Sequence, residues 1–172
     1  PAGSYLLHVG SSQPRKNREA VLRVMEALRD RWGGCLVLGG EELSFTQLEL
    51  AKRMGVLDRI MQVAEIGDSL LKALYTKAHA LIFPSYAEGF GWPVLEAQAC
   101  GCPVICSNRT SLPEVAGAGG LVFEPDDIAG MSGAVLQLQD AKFRQTVVSA
   151  GLENVGSFSV GRMMDAYLDL YR

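Results

Sequence analysis

An α/β domain on a doubly wound, mainly parallel sheet of about six strands (a Rossmann-like fold) is what this sequence predicts. Three observations carry the prediction. Short continuous apolar runs recur along the chain, and such runs mark strands covered on both faces. Longer segments with apolar residues at helical spacing separate them. Glycine or proline stands at most of the junctions, where the chain must turn.

The first run, Tyr5-Leu6-Leu7-His8-Val9, ends at Gly10. From Lys16 to Arg31, the residues Val21, Leu22, Val24, Met25 and Leu28 recur at helical spacing and predict a helix. Cys35-Leu36-Val37-Leu38 is the second run and stops at Gly39-Gly40. Ser44 followed by Gln47 has the spacing of a capping box, opening a helix that runs to Gly55. Ile60 to Val63 reads as a short strand, and Asp68 to Lys77 as the helix after it. Ala80-Leu81-Ile82-Phe83 is a strand closed by Pro84. Pro93 to Cys100 predicts a helix with proline at its first position and Gly101 at its end. Pro103 to Cys106 and Leu121 to Phe123 are the remaining strands, and two or three helices follow, ending with Ser159 to Tyr171.

At 172 residues with 48% hydrophobic content, the chain has the size and composition of one globular domain with its own core, spanning 1–172. A formal net charge of -3 argues against a nucleic-acid binder that relies on counterion release. Mean hydropathy is slightly positive at +0.14. No stretch approaches the roughly 18 consecutive apolar residues that span a bilayer. The chain begins Pro1-Ala2-Gly3 rather than with Met and lacks a signal-peptide pattern, so it reads as a piece of a longer protein. Cys35, Cys100, Cys102 and Cys106 have neither zinc-knuckle nor redox spacing and read as small thiols in a reducing cytoplasm.

In a doubly wound fold, ligands sit outside the carboxyl ends of the strands. Of the loops at those ends, the one after Phe83 is the richest: Pro84-Ser-Tyr-Ala-Glu88-Gly-Phe-Gly-Trp-Pro93-Val-Leu-Glu96. Gly89 and Gly91 permit close approach and unusual dihedrals. With Pro93 opening the helix, the amides of Val94 and Leu95 are expected to be unpaired donors at the positive end of its dipole, a place suited to phosphate. Glu96, in the first turn, leans back over that mouth, and Glu88 precedes the glycines. Carboxylates beside a phosphate suit hydroxyl groups of a ribose or a sugar. The plainer alternative, equally weighted, is that Glu96 complements the dipole and Glu88 is a solvated loop residue. Arg15 and Lys16 follow the first strand at a helix start, where cations oppose the dipole unless an anion offsets them. A diphosphate would do so, whereas a solvated pair of charges is the bland reading.

These residues resemble a family. Glu88-Gly-Phe-Gly-Trp-Pro-Val-Leu-Glu96 and Gly101-Cys-Pro-Val104 are similar to the donor-binding, C-terminal domain of retaining glycosyltransferases of family 4, also called glycosyl transferases group 1, with the GT-B fold. Two glutamates separated by seven residues around Gly-Phe-Gly characterise that family. Val9-Gly10 with Pro14-Arg15-Lys16-Asn17 looks like its diphosphate loop, and the likeness covers essentially the whole chain. The resemblance implies that Gly10, Arg15 and Lys16 meet the donor diphosphate and that Glu88 contacts hydroxyls of the transferred sugar. It implies backbone contacts from Gly89, Phe90 and Gly91, phosphate-binding amides at Val94 and Leu95, and a ribose contact at Glu96. Glu65 and Ile66 would border the base. Two positions depart: Ser11 stands where many members carry arginine, and Ala64 where a glycine is common.

By the same resemblance, the donor is a nucleotide-diphosphate sugar and no separate cofactor or metal is implied. Catalysis would rest on Glu88 and Lys16, through a same-face ion-pair route in preference to a covalent one. A separate N-terminal domain would supply the site for a carbohydrate or lipid-linked acceptor, so the 172 residues alone would bind donor but transfer little. The implied setting is glycan or glycolipid biosynthesis in the cytoplasm, with membrane contact only through parts outside this chain. A non-catalytic nucleotide-binding module is the nearest rival. A dinucleotide oxidoreductase is weaker, because Val94 occupies the third fingerprint position after Gly89 and Gly91. His8 and His79 read as packing residues, and Trp92 as a sugar border or a core or interdomain contact.

Overall fold

The computed structural model describes residues 3–171. Six strands form one sheet: β1 (Tyr5–Gly10), β2 (Cys35–Gly40), β3 (Ile60–Val63), β4 (Ala80–Phe83), β5 (Val104–Ser107) and β6 (Gly120–Phe123). Their order is β3-β2-β1-β4-β5-β6, and every neighbouring pair is parallel. The chain winds outward from β1 in one direction to β3, then returns past β1 and winds the other way from β4 to β6. The direction reverses between β1 and β4.

Residue alternation along each strand separates two cores. Leu6, Leu36, Leu38 and Ile82 pack with Val21, Leu22 and Met25 of α1 (Arg18–Ala27). The same core takes in Ala51 of α2 (Phe45–Arg53). On the other face, Leu7, Val37, Leu81 and Phe83 pack with Leu74 and Tyr75 of α3 (Asp68–Lys77) and with Val94 and Ala97 of α4 (Trp92–Ala99). Leu112 of α5 (Leu112–Ala116) joins this second core, while Met131 and Val135 of α6 (Ile128–Gln137) join the first. The helices α7 (Ala141–Val155) and α8 (Val160–Leu170) end the chain.

Local sequence accounts for most boundaries. Ser44 Oγ accepts the Gln47 amide at 3.3 Å and Gln47 Oε1 accepts the Ser44 amide at 3.1 Å, which is the expected capping box. The first helix differs from expectation. Pro14–Lys16 form a single 3₁₀ turn, and Asn17 takes a left-handed conformation (φ 50°) before α1 begins at Arg18. Asn17 can do so because its side chain caps the helix, Oδ1 accepting from the Ala20 amide at 3.3 Å. Lys16 is therefore set ahead of the helix instead of inside it. The short helix α5, with Pro113 as its second residue, has no counterpart in the sequence reading. His79 packs against Trp32 with ring centroids 5.4 Å apart, as a packing residue should. Cys102 and Cys106 are buried, and burial pushes both thiols up to about 12, so they stay protonated. Among the described residues no helix is long and apolar enough to cross a membrane.

Candidate active site

The reversal of winding leaves a crevice at the carboxyl ends of β1 and β4, because the loops leaving those strands part to opposite faces. The two loops are joined by a backbone bond, the Tyr86 amide donating to Arg15 O at 2.8 Å. Within the first, the Lys16 amide donates to Gln13 O at 2.9 Å, closing the 3₁₀ turn that carries Arg15 and Lys16. Gly10 ends β1 with φ 148°, and a Cβ there would lie 3.1 Å from Lys16 Cε. The strand end and the lysine stem are thus in close approach, which a side chain at position 10 would crowd.

Three charged groups meet in the crevice. Lys16 Nζ donates to Glu88 Oε1 at 2.7 Å, and Arg15 Nη1 donates to Glu88 Oε2 at 3.0 Å. The side chains of Lys16 and Glu88 are each only 9% exposed, whereas Arg15 remains 46% exposed. The Lys16 ammonium lies 4.8 Å from the centroid of the Phe83 ring, over its face. Burial acts to raise the Glu88 carboxyl, but the hydrogen bond and charge of Lys16, with help from the Ser85 and Arg15 side chains, outweigh it and hold the carboxyl below its ordinary value. Glu88 is ionised at neutral pH and is not a solvated loop residue.

The glycine-rich turn is held from behind. The Glu88 amide donates to Thr110 Oγ1 at 3.0 Å, and Ser111 Oγ donates to Glu88 O at 3.1 Å and Phe90 O at 2.8 Å. Gly91, the N-cap of α4, has φ 97° and needs to be glycine. Gly89 is exposed, with open space where a Cβ would stand and no positive φ, so its expected unusual dihedral is not found.

The expectation for the α4 amides is corrected. The helix begins at Trp92, one residue before Pro93, and the Val94 amide donates to Gly91 O at 2.9 Å. Val94 is thus not an unpaired donor, and Leu95, the fourth helical residue, falls where intrahelical bonding starts. By position, the amides ahead of the first helical bond are those of Gly91 and Trp92. Glu96 is accordingly in the second turn, not the first. Its Oε2 accepts from Tyr75 of α3 at 3.0 Å, in a groove of about 320 Å³ that Leu71 and Cys100 also line. Leu95 lines a separate hollow of about 480 Å³ with Phe90, Trp92 and Phe158. Trp92 is 62% exposed and packs against Phe90 with tilted rings, centroids 4.5 Å apart, so it is no core residue. Ile66 reaches the end of β2, where a Cβ on Gly39 would lie 2.7 Å from its Cδ1, and Glu65 is exposed. Gly10, Arg15, Lys16 and Glu88 form one cluster, while the Glu96 carboxylate is turned to α3.

The family model for glycosyl transferases group 1 matches residues 3–151. The chain belongs to this family. It is 38% identical to the O-antigen chain mannosyltransferase B of Escherichia coli, over 90% of this chain and 42% of that protein. It is 32% identical to the O-antigen chain mannosyltransferase RfbU of Salmonella typhimurium, over 88% of this chain and 44% of that protein. Among solved structures it resembles sucrose-phosphate synthase from Thermosynechococcus elongatus, with a TM-score of 0.82 and 27% identity over 99% of this chain and 46% of the other. The chain thus spans less than half the length of these relatives, and the doubly wound sheet is the C-terminal half of a GT-B architecture.

In this group 1 domain, three site-supporting residues, Arg18, Thr110 and Ser111, escaped the sequence reading, and the bracing role of Asn17 within its loop was not foreseen. Arg18 is 1% exposed and donates through Nη2 to Gly10 O at 2.7 Å and through Nη1 to Glu42 O at 3.2 Å, tying the ends of β1 and β2. Thr110 and Ser111 pin the Glu88 turn from more than twenty residues away, and Thr110 takes φ 52° to do so. Asn17 Nδ2 donates to Pro125 O at 3.0 Å, joining the loop after β1 to the loop after β6. The only local signal was a run of five polar residues, Arg15 to Glu19, around a helix start. Their buried partners are remote in sequence.

Proposed function

We propose that this domain binds the diphosphate of a nucleotide-sugar donor at the carboxyl ends of β1 and β4. With a separate N-terminal domain, it transfers the sugar to a carbohydrate or lipid-linked acceptor with retention of anomeric configuration. The observation that carries the reading is the convergence of Lys16 and Arg15 on Glu88 at the reversal of winding, each cation within 3.0 Å of a Glu88 carboxylate oxygen. Two cations there suit an anionic leaving group, and the carboxylate suits hydroxyls of the sugar.

As the anomeric C–O bond breaks, negative charge grows on the leaving diphosphate. Lys16 and Arg15 stabilise it in place, aided by the amides that open α4. Glu88 accepts hydrogen bonds from the sugar, held by a backbone that Thr110 and Ser111 fix. Glu96 turns from Tyr75 or acts beside it to accept from the ribose, and Glu65 and Ile66 border the base. The reading calls for no separate cofactor. It places the whole protein in the cytoplasm, at the inner membrane face where the acceptor is lipid-linked, in glycan or glycolipid synthesis.

A thermal-shift panel of UDP, GDP, ADP and dTDP with their sugars, against NAD and NADP, tests this. Mannosyl donors lead the panel because two relatives are mannosyltransferases by name. A ligand at about 100 times its Kd adds roughly 2.7 kcal/mol, a shift of several degrees. Stabilisation by a nucleoside diphosphate is the expected result, and stabilisation by the dinucleotides alone refutes the reading.

A further inference from the structure

The two cations assigned above to the diphosphate are already engaged by an anion of the protein itself. Glu88 offers one carboxylate oxygen to each, Oε1 to Lys16 Nζ at 2.7 Å and Oε2 to Arg15 Nη1 at 3.0 Å. Water screens the Lys16 contact little, since both side chains are 9% exposed. The ammonium has few other faces to offer. Phe83 lies 4.8 Å below it, and Gly10 closes on its stem so tightly that a Cβ would stand 3.1 Å from Cε. A diphosphate oxygen that bonds Lys16 at full strength must therefore contend with the position Glu88 holds. The Glu88 backbone is pinned, its amide by Thr110 and its carbonyl by Ser111, so the carboxylate can leave only by side-chain rotation.

We propose that Glu88 is an intramolecular competitor for the diphosphate, exchanging places with an incoming donor and then accepting hydrogen bonds from the donor's sugar hydroxyls. This inference rests on the donor-binding reading and adds discrimination to it. A nucleotide sugar satisfies the displaced carboxylate with hydroxyls, whereas a nucleoside diphosphate without sugar leaves it buried and unpaired. Once the sugar has gone, Glu88 returns to Lys16 and Arg15 and favours release of the nucleoside diphosphate. The exchange involves no covalent step. Only ion pairs and hydrogen bonds are remade.

Calorimetry on the 172-residue chain with inorganic pyrophosphate, UDP, GDP and the corresponding nucleotide sugars tests the exchange. Glu88→Gln keeps the shape and removes the competing charge, and is expected to tighten pyrophosphate by about tenfold, equivalent to about 1.4 kcal/mol. It is also expected to erase the preference for a nucleotide sugar over its diphosphate. Glu88→Asp, which draws the carboxylate back from Lys16 but keeps the charge, moves pyrophosphate affinity the same way by less. It is the variant to read if Glu88→Gln does not fold. Glu41→Gln is the charge control, because Glu41 lies on the neighbouring loop and bonds Ser12, not Lys16. Its effect is expected to stay below about twofold, as for a screened surface charge. An equal gain in Glu41→Gln and Glu88→Gln overturns the exchange. So does unchanged or weaker pyrophosphate binding by Glu88→Gln where Lys16→Ala abolishes it, with the diphosphate assignment left standing. Pyrophosphate binding indifferent to Lys16→Ala overturns both.

Discussion

His8 lies in β1 with its ring wholly buried, Nδ1 against Ile82 O at 3.0 Å and Nε2 without a protein partner. Burial lowers its pKa to about 4, with smaller opposing help from the Ile82 carbonyl and further lowering by the Arg18 and Lys16 charges. It is therefore neutral at pH 7, and Nδ1 is the donor to Ile82. The unfolded chain restores a pKa near 6.5, so between these values the unfolded state binds more protons than the folded one. The His8 contribution is intact above about pH 6.5, is lost progressively as pH falls toward 4, and changes no further below that. The full loss is about 3 kcal/mol. Denaturant unfolding of wild type and His8→Asn across pH 7 to 4 measures it, the amide keeping the donor without the titration. The wild-type curve should fall more steeply, and parallel curves would remove His8 from the acid response.

At the scale of elements, α4 depends on one glycine. Gly91 caps the helix at φ 97°, and a Cβ there would lie 2.6 Å from Leu112 Cδ2 of α5. Gly91→Ala combines left-handed strain with a displaced core side chain, an expected loss of about 1–3 kcal/mol. Gly89→Ala meets open space and should stay within about 0.5 kcal/mol of wild type. Chemical denaturation of both variants tests the contrast, and equal losses would contradict it. The sequence Gly-Phe-Gly marks both positions alike. Only the packing of α5 against the turn separates a required glycine from a permissive one, and α5 itself, five residues long, is too short for its periodicity to be read as a helix. The α4 start shows a similar limit: proline is tolerated within the first turn and does not fix the start to one residue, and that single-residue difference commits the Val94 amide to Gly91 O.

For the whole molecule, the reversal between β1 and β4 explains why two loops some seventy residues apart in sequence share one site. On the donor-binding reading, the acceptor site belongs to the separate N-terminal domain. This chain is expected to bind nucleoside diphosphate yet transfer no sugar detectably, and to gain transfer when produced with an N-terminal half of a group 1 relative's size. A radiolabelled-sugar transfer assay on the two forms reads this, and full turnover by the 172 residues alone would contradict the two-domain mechanism.

By itself the sequence determined the strands, most helices and the family. Those depend on local periodicity, turn residues and a contiguous motif, Glu88 to Glu96, which are all short-range signals. It also placed Lys16, Arg15 and Glu88 at strand ends, which is where chemistry belongs in such a fold. Only the tertiary structure decided what these charges do to one another. The sequence supplied them as separate candidates, two for a diphosphate and one for a sugar. Burial of a 9%-exposed lysine against a 9%-exposed carboxylate makes them partners in the folded chain, because low solvent access leaves each as the other's strongest available counter-charge. Likewise Glu96 turns to Tyr75, and Thr110 and Ser111 brace the Glu88 turn, through contacts that no local pattern encodes.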